Sequence, residues 1–160
     1  MIAIGADHGG YKLKEEIKKY LDEKEIPYKD FGTYSEERVD YPNIAKEVSK
    51  AVQKKECEKG ILICRSGYGM AMVANKFKGI RSAPCFVEEA AKYSRMHNNT
   101  NVLALRSRLC YSKSSNLYIK NVACNRVWRW EAPRKIKFSW TNRKWKYEID
   151  RRSNNYDKRI

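Results

Sequence analysis

The sequence predicts an α/β protein in which helices cover both faces of a five-stranded parallel sheet. Two observations support this: short apolar runs, typical of buried strands, alternate with segments whose apolar residues recur at helical spacing. Strands that are joined by helices run parallel, and a parallel sheet needs cover on both faces. A chain of 160 residues is long enough for one such domain. We therefore expect a doubly wound, Rossmann-like core.

The first elements lie at the N-terminus. Met1 to Ala6 is an apolar run that ends in the polar turn Asp7 to Gly10, which suits a buried strand and its exit loop. Apolar residues then recur at helical spacing from Leu13 to Leu21, with Lys and Glu between them. Tyr28 to Phe31 is a candidate second strand.

The strongest strand signal lies in the middle of the chain. Gly60 to Cys64 is a continuous apolar run, followed by the loop Arg65 to Gly69 and by a small-residue helix through Lys76. Before this strand, an apolar stripe from Ile44 to Val52 predicts a helix, and Pro42 suits the first turn of that helix.

The last elements of the predicted sheet are the apolar runs Ile80 to Cys85 and Val102 to Leu105, with a helical segment around Val87 to Tyr93 between them. Doubly wound folds bind ligands beyond the carboxyl ends of their strands. We expect three loops to meet at that edge: Asp7 to Gly10, Cys64 to Gly69, and Arg95 to Asn98.

The formal charge of +15 is distributed unevenly along the chain. Residues 1–105 carry 18 basic and 15 acidic side chains, whereas residues 106–160 carry 16 basic and 4 acidic ones. All eight glycines lie between Gly5 and Gly79, and all four tryptophans lie between Trp128 and Trp145. We therefore divide the chain into a core, residues 1–109, and an atypical basic tail, residues 110–160. The net charge alone would suggest a nucleic-acid partner, but most of it belongs to the tail.

Composition excludes two broad classes of protein. An apolar share of 42% is too high for a disordered chain, and no apolar run approaches the roughly 18 residues that a membrane span requires. The N-terminus shows no secretory signal, which predicts a cytoplasmic location. The five cysteines, an odd number, are then expected to be reduced thiols.

The segment Ser66-Gly67-Tyr68-Gly69 follows the strongest strand and precedes a helix. Glycines at such a junction let backbone N–H groups approach a phosphate or a developing oxyanion. A plain tight turn is an equally good interpretation. Cys64 ends the strand before this segment, and a free cysteine is most often a small buried hydrophobe. In this position, however, nearby cations and a helix N-terminus would favour a thiolate that serves as a base or a nucleophile.

The chain has only two histidines, His8 and His97, and we place both in loops at the ligand edge. A surface histidine is usually inert, but this pair together with Asp7 and Cys64 is typical of acid–base chemistry on an anionic small molecule. The other cysteines share no metal-ligand spacing with Cys64, so no metal site is expected.

Several ordered motifs resemble those of a known family. They are Ile4 to Gly10, Gly32 to Ser35 with Asp40 to Pro42, Cys64 to Met70, Ala74 to Lys76, Gly79 to Arg81, and His97 to Val102. Together they resemble the type B ribose-5-phosphate isomerase family, which also includes the galactose-6-phosphate isomerase subunits. The resemblance runs from Met1 to about Leu109.

The resemblance implies an aldose–ketose isomerase that uses no metal and no other cofactor. Cys64 would be the base that takes the C2 proton and helps to return one at C1. The Ser66 hydroxyl and the backbone N–H groups of Gly67 to Gly69 would hold the cis-enediolate, whose charge develops only as the proton leaves. The expected reaction interconverts ribose 5-phosphate and ribulose 5-phosphate.

Further roles follow from the same resemblance. Asp7 and His97 resemble the pair that opens the furanose ring, and His97 and Asn98 would come from the partner subunit. His8 and Arg108 resemble phosphate ligands. The family forms dimers, often paired into tetramers, with each active site built across the dimer interface. A homodimer or homotetramer with shared active sites is therefore expected.

The chain departs from the family pattern in the Cys64 loop. The usual Cys-Gly-Thr-Gly segment is Cys64-Arg65-Ser66-Gly67 here, and Ser66 keeps the hydroxyl group. Arg65 either places a cation beside the thiol or points into solvent. Tyr68 stands where the family has a smaller residue, so it would narrow the sugar pocket, which Tyr41 is expected to line.

After Leu109 the resemblance stops. The family would continue with a long amphipathic helix and a Gly-Gly-Arg-His segment that supplies a phosphate-binding arginine across the dimer. With permissible synonymous codons, a one-base shift of Arg126 to Lys137 spells Glu-Phe-Gly-Gly-Gly-Lys-His-Gln-Glu-Arg, which is close to that segment. Our hypothesis is that the tail arises from a frameshift. Coding DNA with an intact tail frame, and no shifted match between codons 105 and 137, would reject it.

Two alternatives remain open at this point. One is a hexose-6-phosphate isomerase of the galactose or allose type. The other is an inactive isomerase-like scaffold that binds nucleic acid through its tail, because interleaved Arg and Trp, as in Trp128-Arg129-Trp130, can contact phosphates and stack on bases. Of the two classes, the sequence favours the isomerase over the nucleic-acid binder.

Overall fold

The computed structural model describes residues 1–107 and two later strands, residues 136–141 and 144–149. The strands of the first part are Ile2–Ala6 (β1), Tyr28–Asp30 (β2), Lys59–Cys64 (β3), Ser82–Cys85 (β4) and Val102–Arg106 (β5). The helices are Tyr11–Glu23 (α1), Tyr41–Gln53 (α2), Tyr68–Ala74 (α3) and Glu88–Asn98 (α4). The later strands, Ile136–Thr141 (β6) and Lys144–Ile149 (β7), pair with each other in an antiparallel ladder.

Strands β1 to β5 form one parallel sheet in the order β2-β1-β3-β5-β4. Apart from Lys59 at the start of β3 and Arg106 at the end of β5, the residues of β1, β3 and β5 are uncharged and buried, as expected of central strands that are covered on both faces. The predicted fold class, a doubly wound parallel sheet of five strands, is therefore confirmed.

Alternate side chains of the strands enter two separate hydrophobic layers. On one face the sheet packs against α1 and α4, in a layer that contains Ile4, Ile17, Ile61, Ala91 and Leu103. On the other face it packs against α2 and α3, in a layer that contains Val48, Leu62, Cys64, Met70 and Val102. Cys64 therefore lies on the α2 and α3 side of the sheet.

Helix α1 buries a charged residue among its apolar ones. Leu13, Ile17 and Leu21 recur once per turn and face the sheet, but Lys14 is also completely buried. Its Nζ forms an ion pair with Asp30 at the end of β2, and Lys18 Nζ lies 2.9 Å from the same carboxylate. Burying an ammonium group is costly unless a carboxylate compensates it, so this position depends on Asp30.

Candidate active site

The helical connections leave the sheet in opposite directions on the two sides of the β1–β3 pair. From β1 the chain crosses to β2 through α1 on one face, and from β3 it crosses to β4 through α3 on the other. A crevice opens where neighbouring parallel strands send their connections in opposite directions, and doubly wound folds bind ligands there. Asp7 directly follows β1, and Cys64 ends β3. Both residues therefore lie at this crevice.

The loop after β1 holds Asp7 by a close approach of the backbone. Asp7 Oδ1 accepts a hydrogen bond from the Gly10 N–H at 2.9 Å. A Cβ atom on Gly10 would lie 2.5 Å from the carbonyl oxygen of Ile63, so no larger residue fits against β3. Burial raises the pKa of the Asp7 carboxyl, and the Gly10 N–H and the neighbouring His8 partly offset that rise. A buried carboxyl with a raised pKa in a cleft is suited to proton transfer.

The Cys64 thiol is joined to the loop that follows it. Only 4% of Cys64 is exposed, and its Sγ accepts a hydrogen bond from the Gly67 N–H at 3.0 Å. Gly67 has φ +81°, and a Cβ atom there would lie 3.2 Å from the carbonyl oxygen of Ala104. Glycine is therefore required by backbone conformation and by space. Ser66, between these residues, is exposed.

Tyr41 and Tyr68 take different positions around the glycine loop. Tyr41, the first residue of α2, lies over Gly69, where an added Cβ would be 2.9 Å from its ring. The Tyr68 ring packs edge-on against Phe86, with 5.3 Å between ring centroids. Phe86 directly follows β4. Tyr41 therefore borders the loop from the α2 side, whereas Tyr68 leans towards the β4 end of the sheet.

His8 and Arg65 connect the crevice loops. His8 Nδ1 accepts a weak hydrogen bond from the Val39 N–H at 3.4 Å, which links the β1 loop to the segment before α2. A Cβ atom on Gly9 would lie 3.5 Å from Arg65 Cβ, so the loops after β1 and β3 are in contact. Arg65 is exposed, and its charge lowers the pKa of Asp7 slightly against the larger effect of burial.

The structure corrects the predicted location of His97 and Asn98. Both belong to α4, which runs to Asn98 instead of ending near Tyr93. Helix α4 leads into the first residue of β5, Val102, which pairs with Gly60 at the amino end of β3. Within one chain, His97 and Asn98 therefore lie at the edge opposite Cys64, and the expected loop Arg95 to Asn98 at the ligand edge is wrong. A segment that leads into a parallel strand necessarily enters at its amino end.

The structure also identifies a residue that sequence reasoning missed. Arg106, the last residue of β5, pairs in register with Cys64, and the Ser107 N–H donates to the Cys64 carbonyl at 3.0 Å. The only signal in the sequence was a basic residue directly after the apolar run Val102 to Leu105. Its pairing partner could not be known without the strand order.

One chain thus brings most of the predicted site residues to the crevice: Asp7, His8, Tyr41, Cys64, Ser66, Gly67 and Gly69. Arg108 and most of the tail from 110 to 160, including the proposed frameshift region up to β6, lie outside the described residues. In the part of the chain that the structure describes, no three His, Cys, Asp or Glu side chains come together as a metal site. Among those same residues, no helix has the length and apolar character of a membrane span.

Comparison with known proteins identifies the class. A model of the Ribose/Galactose Isomerase family matches residues 2–132, which include the predicted core from its second residue onward and the first part of the tail. Ribose-5-phosphate isomerase B of Escherichia coli is 49% identical over 108 residues, covering 68% of this chain and 72% of that protein. D-erythrulose-4-phosphate isomerase of Pectobacterium atrosepticum is 38% identical over 109 residues, covering 68% and 72% respectively.

The solved structures agree with this match. A structure of Clostridium thermocellum ribose-5-phosphate isomerase B covers 76% of this chain and 82% of its own, with a TM-score of 0.71 and 42% sequence identity. The chain is thus an aldose–ketose isomerase that acts on sugar phosphates. The chain belongs to the ribose/galactose isomerase family. The scaffold that binds nucleic acid, and the hexose-6-phosphate enzyme, are not favoured by these matches.

Proposed function

We propose that this isomerase interconverts ribose 5-phosphate and ribulose 5-phosphate, with Cys64 as the base. The observation that carries the proposal is the Cys64 thiol at the switch point of the sheet, where its Sγ accepts the Gly67 N–H at 3.0 Å. This contact orients the sulfur towards the loop whose backbone would face the reacting carbons. Asp7 approaches the same crevice from the neighbouring strand.

The chemistry follows from these positions. The Cys64 thiolate takes the C2 proton of the open-chain aldose, the C2–H electron pair forms a C1–C2 double bond, and the carbonyl electrons move onto O1. The Ser66 hydroxyl and the N–H groups of Gly67 to Gly69 hold the resulting enediolate. A proton then returns to C1 while the O2 hydroxyl loses its proton to become the ketone carbonyl. O1 also gains a proton. Since C2 and O2 each lose one hydrogen while C1 and O1 each gain one, the overall change is an isomerisation without net oxidation.

Ring opening precedes this step in the proposal. Asp7 works with His97 of the partner subunit to move a proton from the anomeric hydroxyl to the ring oxygen. Burial raises the pKa of Asp7, which makes its carboxylate a stronger proton acceptor than an exposed one. His97 of the same chain lies at the opposite edge of the sheet, which supports its delivery by a second subunit.

The remaining groups bind the ends of the sugar. His8 and Arg108 would hold the phosphate, Asn98 of the partner would contact a sugar hydroxyl, and Tyr41 would form a wall beside Gly69. We therefore propose a homodimer, or a tetramer of two such dimers, in which each active site contains residues from two subunits. We also propose a cytoplasmic location, where Cys64 would stay reduced.

The number of carbon atoms in the sugar distinguishes the possible substrates. The relatives include an enzyme named for a five-carbon and one named for a four-carbon sugar phosphate, so the family fold alone does not select one. Ribose 5-phosphate is proposed because the Escherichia coli relative that shares 49% identity over 108 residues is named for it. Turnover of ribose 5-phosphate should exceed that of erythrose 4-phosphate, allose 6-phosphate and galactose 6-phosphate, and faster turnover of any other sugar would replace this substrate.

The base is tested by a coupled isomerase assay on the full chain. Cys64→Ala should lower kcat by about 10³-fold, in the range expected for loss of a proton-transfer group. Cys57→Ala is the matched control, because Cys57 is also a buried thiol but lies after α2, away from the crevice. Cys64→Ala with the kcat of wild type would overturn the proposal.

The sequence of the tail should affect how tightly the enzyme binds the phosphate group of its substrate. If the tail lacks the phosphate-binding arginine of the family, KM should be raised more than kcat is lowered, provided that arginine binds ground and transition states alike. Restoring the shifted reading frame should then lower KM. Unchanged kinetics in the restored protein would reject this part of the proposal.

A further inference from the structure

Four strands end side by side at the crevice edge, and the residues at their ends, or directly after them, form a row. Cys64 of β3 is paired with Arg106 of β5. The Asp7 N–H donates to the Ile63 carbonyl at 3.0 Å, so the β1 ladder continues to the same level. On the other side, Cys85 pairs with Leu105, which places Phe86 beside Arg106. The row therefore runs Asp7, Cys64, Arg106, Phe86.

Cys64 and Arg106 face the same side of the sheet. Their predecessors Ile63 and Leu105 are register partners and both enter the layer with α1 and α4. Since successive side chains of a strand alternate, Cys64 and Arg106 both point to the α2 and α3 side, where Cys64 is found. Neighbouring strands lie about 4.8 Å apart, so the side chains leave the backbone as immediate neighbours.

The Arg106 side chain stays at the protein surface instead of extending into water. Arg106 is partly buried, and its Nε atom is fully buried. A guanidinium group keeps its positive charge at any pH at which the protein is folded. Arg65, the other arginine next to Cys64, is exposed and packs towards Gly9 on the β1 side, so water screens its charge more strongly.

We propose that Arg106 is a positioning residue for the reaction: its guanidinium is the positive charge that holds the Cys64 sulfur as a thiolate. The proposal rests on the role of Cys64 as base. The Gly67 N–H donates to the sulfur. The charged or titratable groups on the neighbouring segments are Asp7, which follows β1, Arg65 in the same loop, and Tyr41 at the start of α2. The carboxylate of Asp7 would repel a negatively charged sulfur. A positive charge on the opposite side of Cys64, at the end of β5, would offset that repulsion.

The test measures the sulfur directly, without substrate. The full chain is treated with iodoacetamide at neutral pH, and modification of the peptide that contains Cys64 is followed by mass spectrometry. Arg106→Met should slow that modification about tenfold, because only the thiolate reacts. Arg106→Lys, of similar length but still charged, should stay within about twofold of wild type. Lys54→Met, which removes a positive charge at the far end of α2, is the control and should have no effect.

Activity gives a second, independent readout. Arg106→Met should lower kcat while the KM for ribose 5-phosphate changes little, and Arg106→Lys should recover most of kcat. Equal modification rates in Arg106→Met and wild type would overturn the proposal, and so would equal slowing by Met and Lys, since that indicates packing. A change confined to KM would also overturn it and assign Arg106 to phosphate binding. If Cys64→Ala keeps full activity, the proposed function fails, whatever the modification rates are.

Discussion

The backbone N–H of Gly67 donates a hydrogen bond to Cys64 Sγ at 3.0 Å. Gly67 can do so because it adopts φ +81° at the start of α3 and lies against the carbonyl groups of Ala104 and Leu105 at the end of β5. Gly67 thus connects the thiol, through a hydrogen bond, with the neighbouring strand, through backbone packing. Any change that moves Gly67 should move the sulfur with respect to the substrate.

Gly67→Ala tests this relationship, and Gly79→Ala is its control. Both glycines have φ +81°, but a Cβ atom on Gly67 would lie 3.2 Å from a carbonyl oxygen, whereas nothing lies within 4 Å of one on Gly79. Each variant should lose about 1–2 kcal/mol of unfolding free energy from the left-handed backbone. Only Gly67→Ala should also lose kcat, by about tenfold or more. Urea unfolding and steady-state kinetics measure both quantities, and equal kcat values in the two variants would contradict the prediction.

Asp7→Asn should stabilise the protein at neutral pH while it lowers activity. Burial raises the pKa of Asp7 above its ordinary value of 3.8, so the folded state binds its proton more tightly than the unfolded state does. The carboxylate therefore opposes folding above the raised pKa, and this cost disappears as the pH falls to 3.8. Asparagine can still accept the Gly10 N–H without a charge.

The measurement is the unfolding free energy of both proteins as a function of pH. The advantage of Asp7→Asn should be largest at neutral pH and should vanish at the acid end of the range. We expect kcat to fall by about 10²-fold, as for loss of a general acid–base group. An asparagine variant that is less stable than wild type at neutral pH would show that the charge of Asp7 supports the fold.

Asp30→Asn should have the opposite effect on stability. Burial alone would raise the pKa of Asp30, but hydrogen bonds from Lys14, Lys18 and the Gly32 N–H lower it further than burial raises it. Its contribution to stability is therefore present above 3.8 and is lost as the pH falls through the lowered pKa. Lys14 is completely buried and would keep only the more distant carboxylate of Glu15, at 3.2 Å, among its ion pairs in the described residues. Removing the charge of Asp30 should therefore cost about 3 kcal/mol at neutral pH.

The control for Asp30→Asn is Asp22→Asn. Asp22 is exposed and accepts only a weak hydrogen bond from the Tyr28 hydroxyl at 3.3 Å, so that variant should be nearly neutral. Thermal unfolding of the three proteins at neutral and acid pH decides the matter. The gap between Asp30→Asn and wild type should narrow in acid, and a gap that is independent of pH would mean that Asn disturbs packing instead of charge.

The sequence was sufficient for the fold because each layer repeats a simple pattern. Continuous apolar runs such as Gly60 to Cys64 mark strands buried on both faces, and the glycine loop after Cys64 marks the strand-to-helix junction. The burial of Lys14 was not predictable in the same way. A lysine within an apolar stripe normally belongs to the solvated face, and only the tertiary position of Asp30 turns it inward.

Some residues of the candidate site could also be predicted from local sequence patterns, whereas others depend on the topology of the sheet. Asp7 and Cys64 could be placed because Asp7 directly follows one apolar run and Cys64 ends another. Arg106 could not, since its partnership with Cys64 depends on β5 lying next to β3. His97 was assigned to the wrong edge because the helical pattern weakens after Tyr93, although α4 continues to Asn98. A local pattern identifies an element, but its neighbours come from the topology.

His97 should act across the subunit interface, and mixing two inactive variants can show it. Within one chain, α4 delivers His97 to the amino edge of the sheet, four residue steps of β3 from the level of Cys64. Cys64→Ala and His97→Ala should each be inactive alone. If each site combines Cys64 of one subunit with His97 of the other, a mixed dimer has one site with both lesions and one intact site. Equal mixing should then restore about one quarter of wild-type activity after subunit exchange.

The control is a mixture of Cys64→Ala with Asp7→Asn. Both residues lie at the same crevice of one chain, so a mixed dimer would carry one lesion in each site and no site would be intact. That mixture should stay inactive under the same conditions of exchange. If the mixture of Cys64→Ala and His97→Ala also stays inactive, although mixed dimers are detected by native mass spectrometry, His97 does not complete the site of a neighbouring subunit. The ring-opening role proposed for it would then pass to a residue of the chain that carries Cys64.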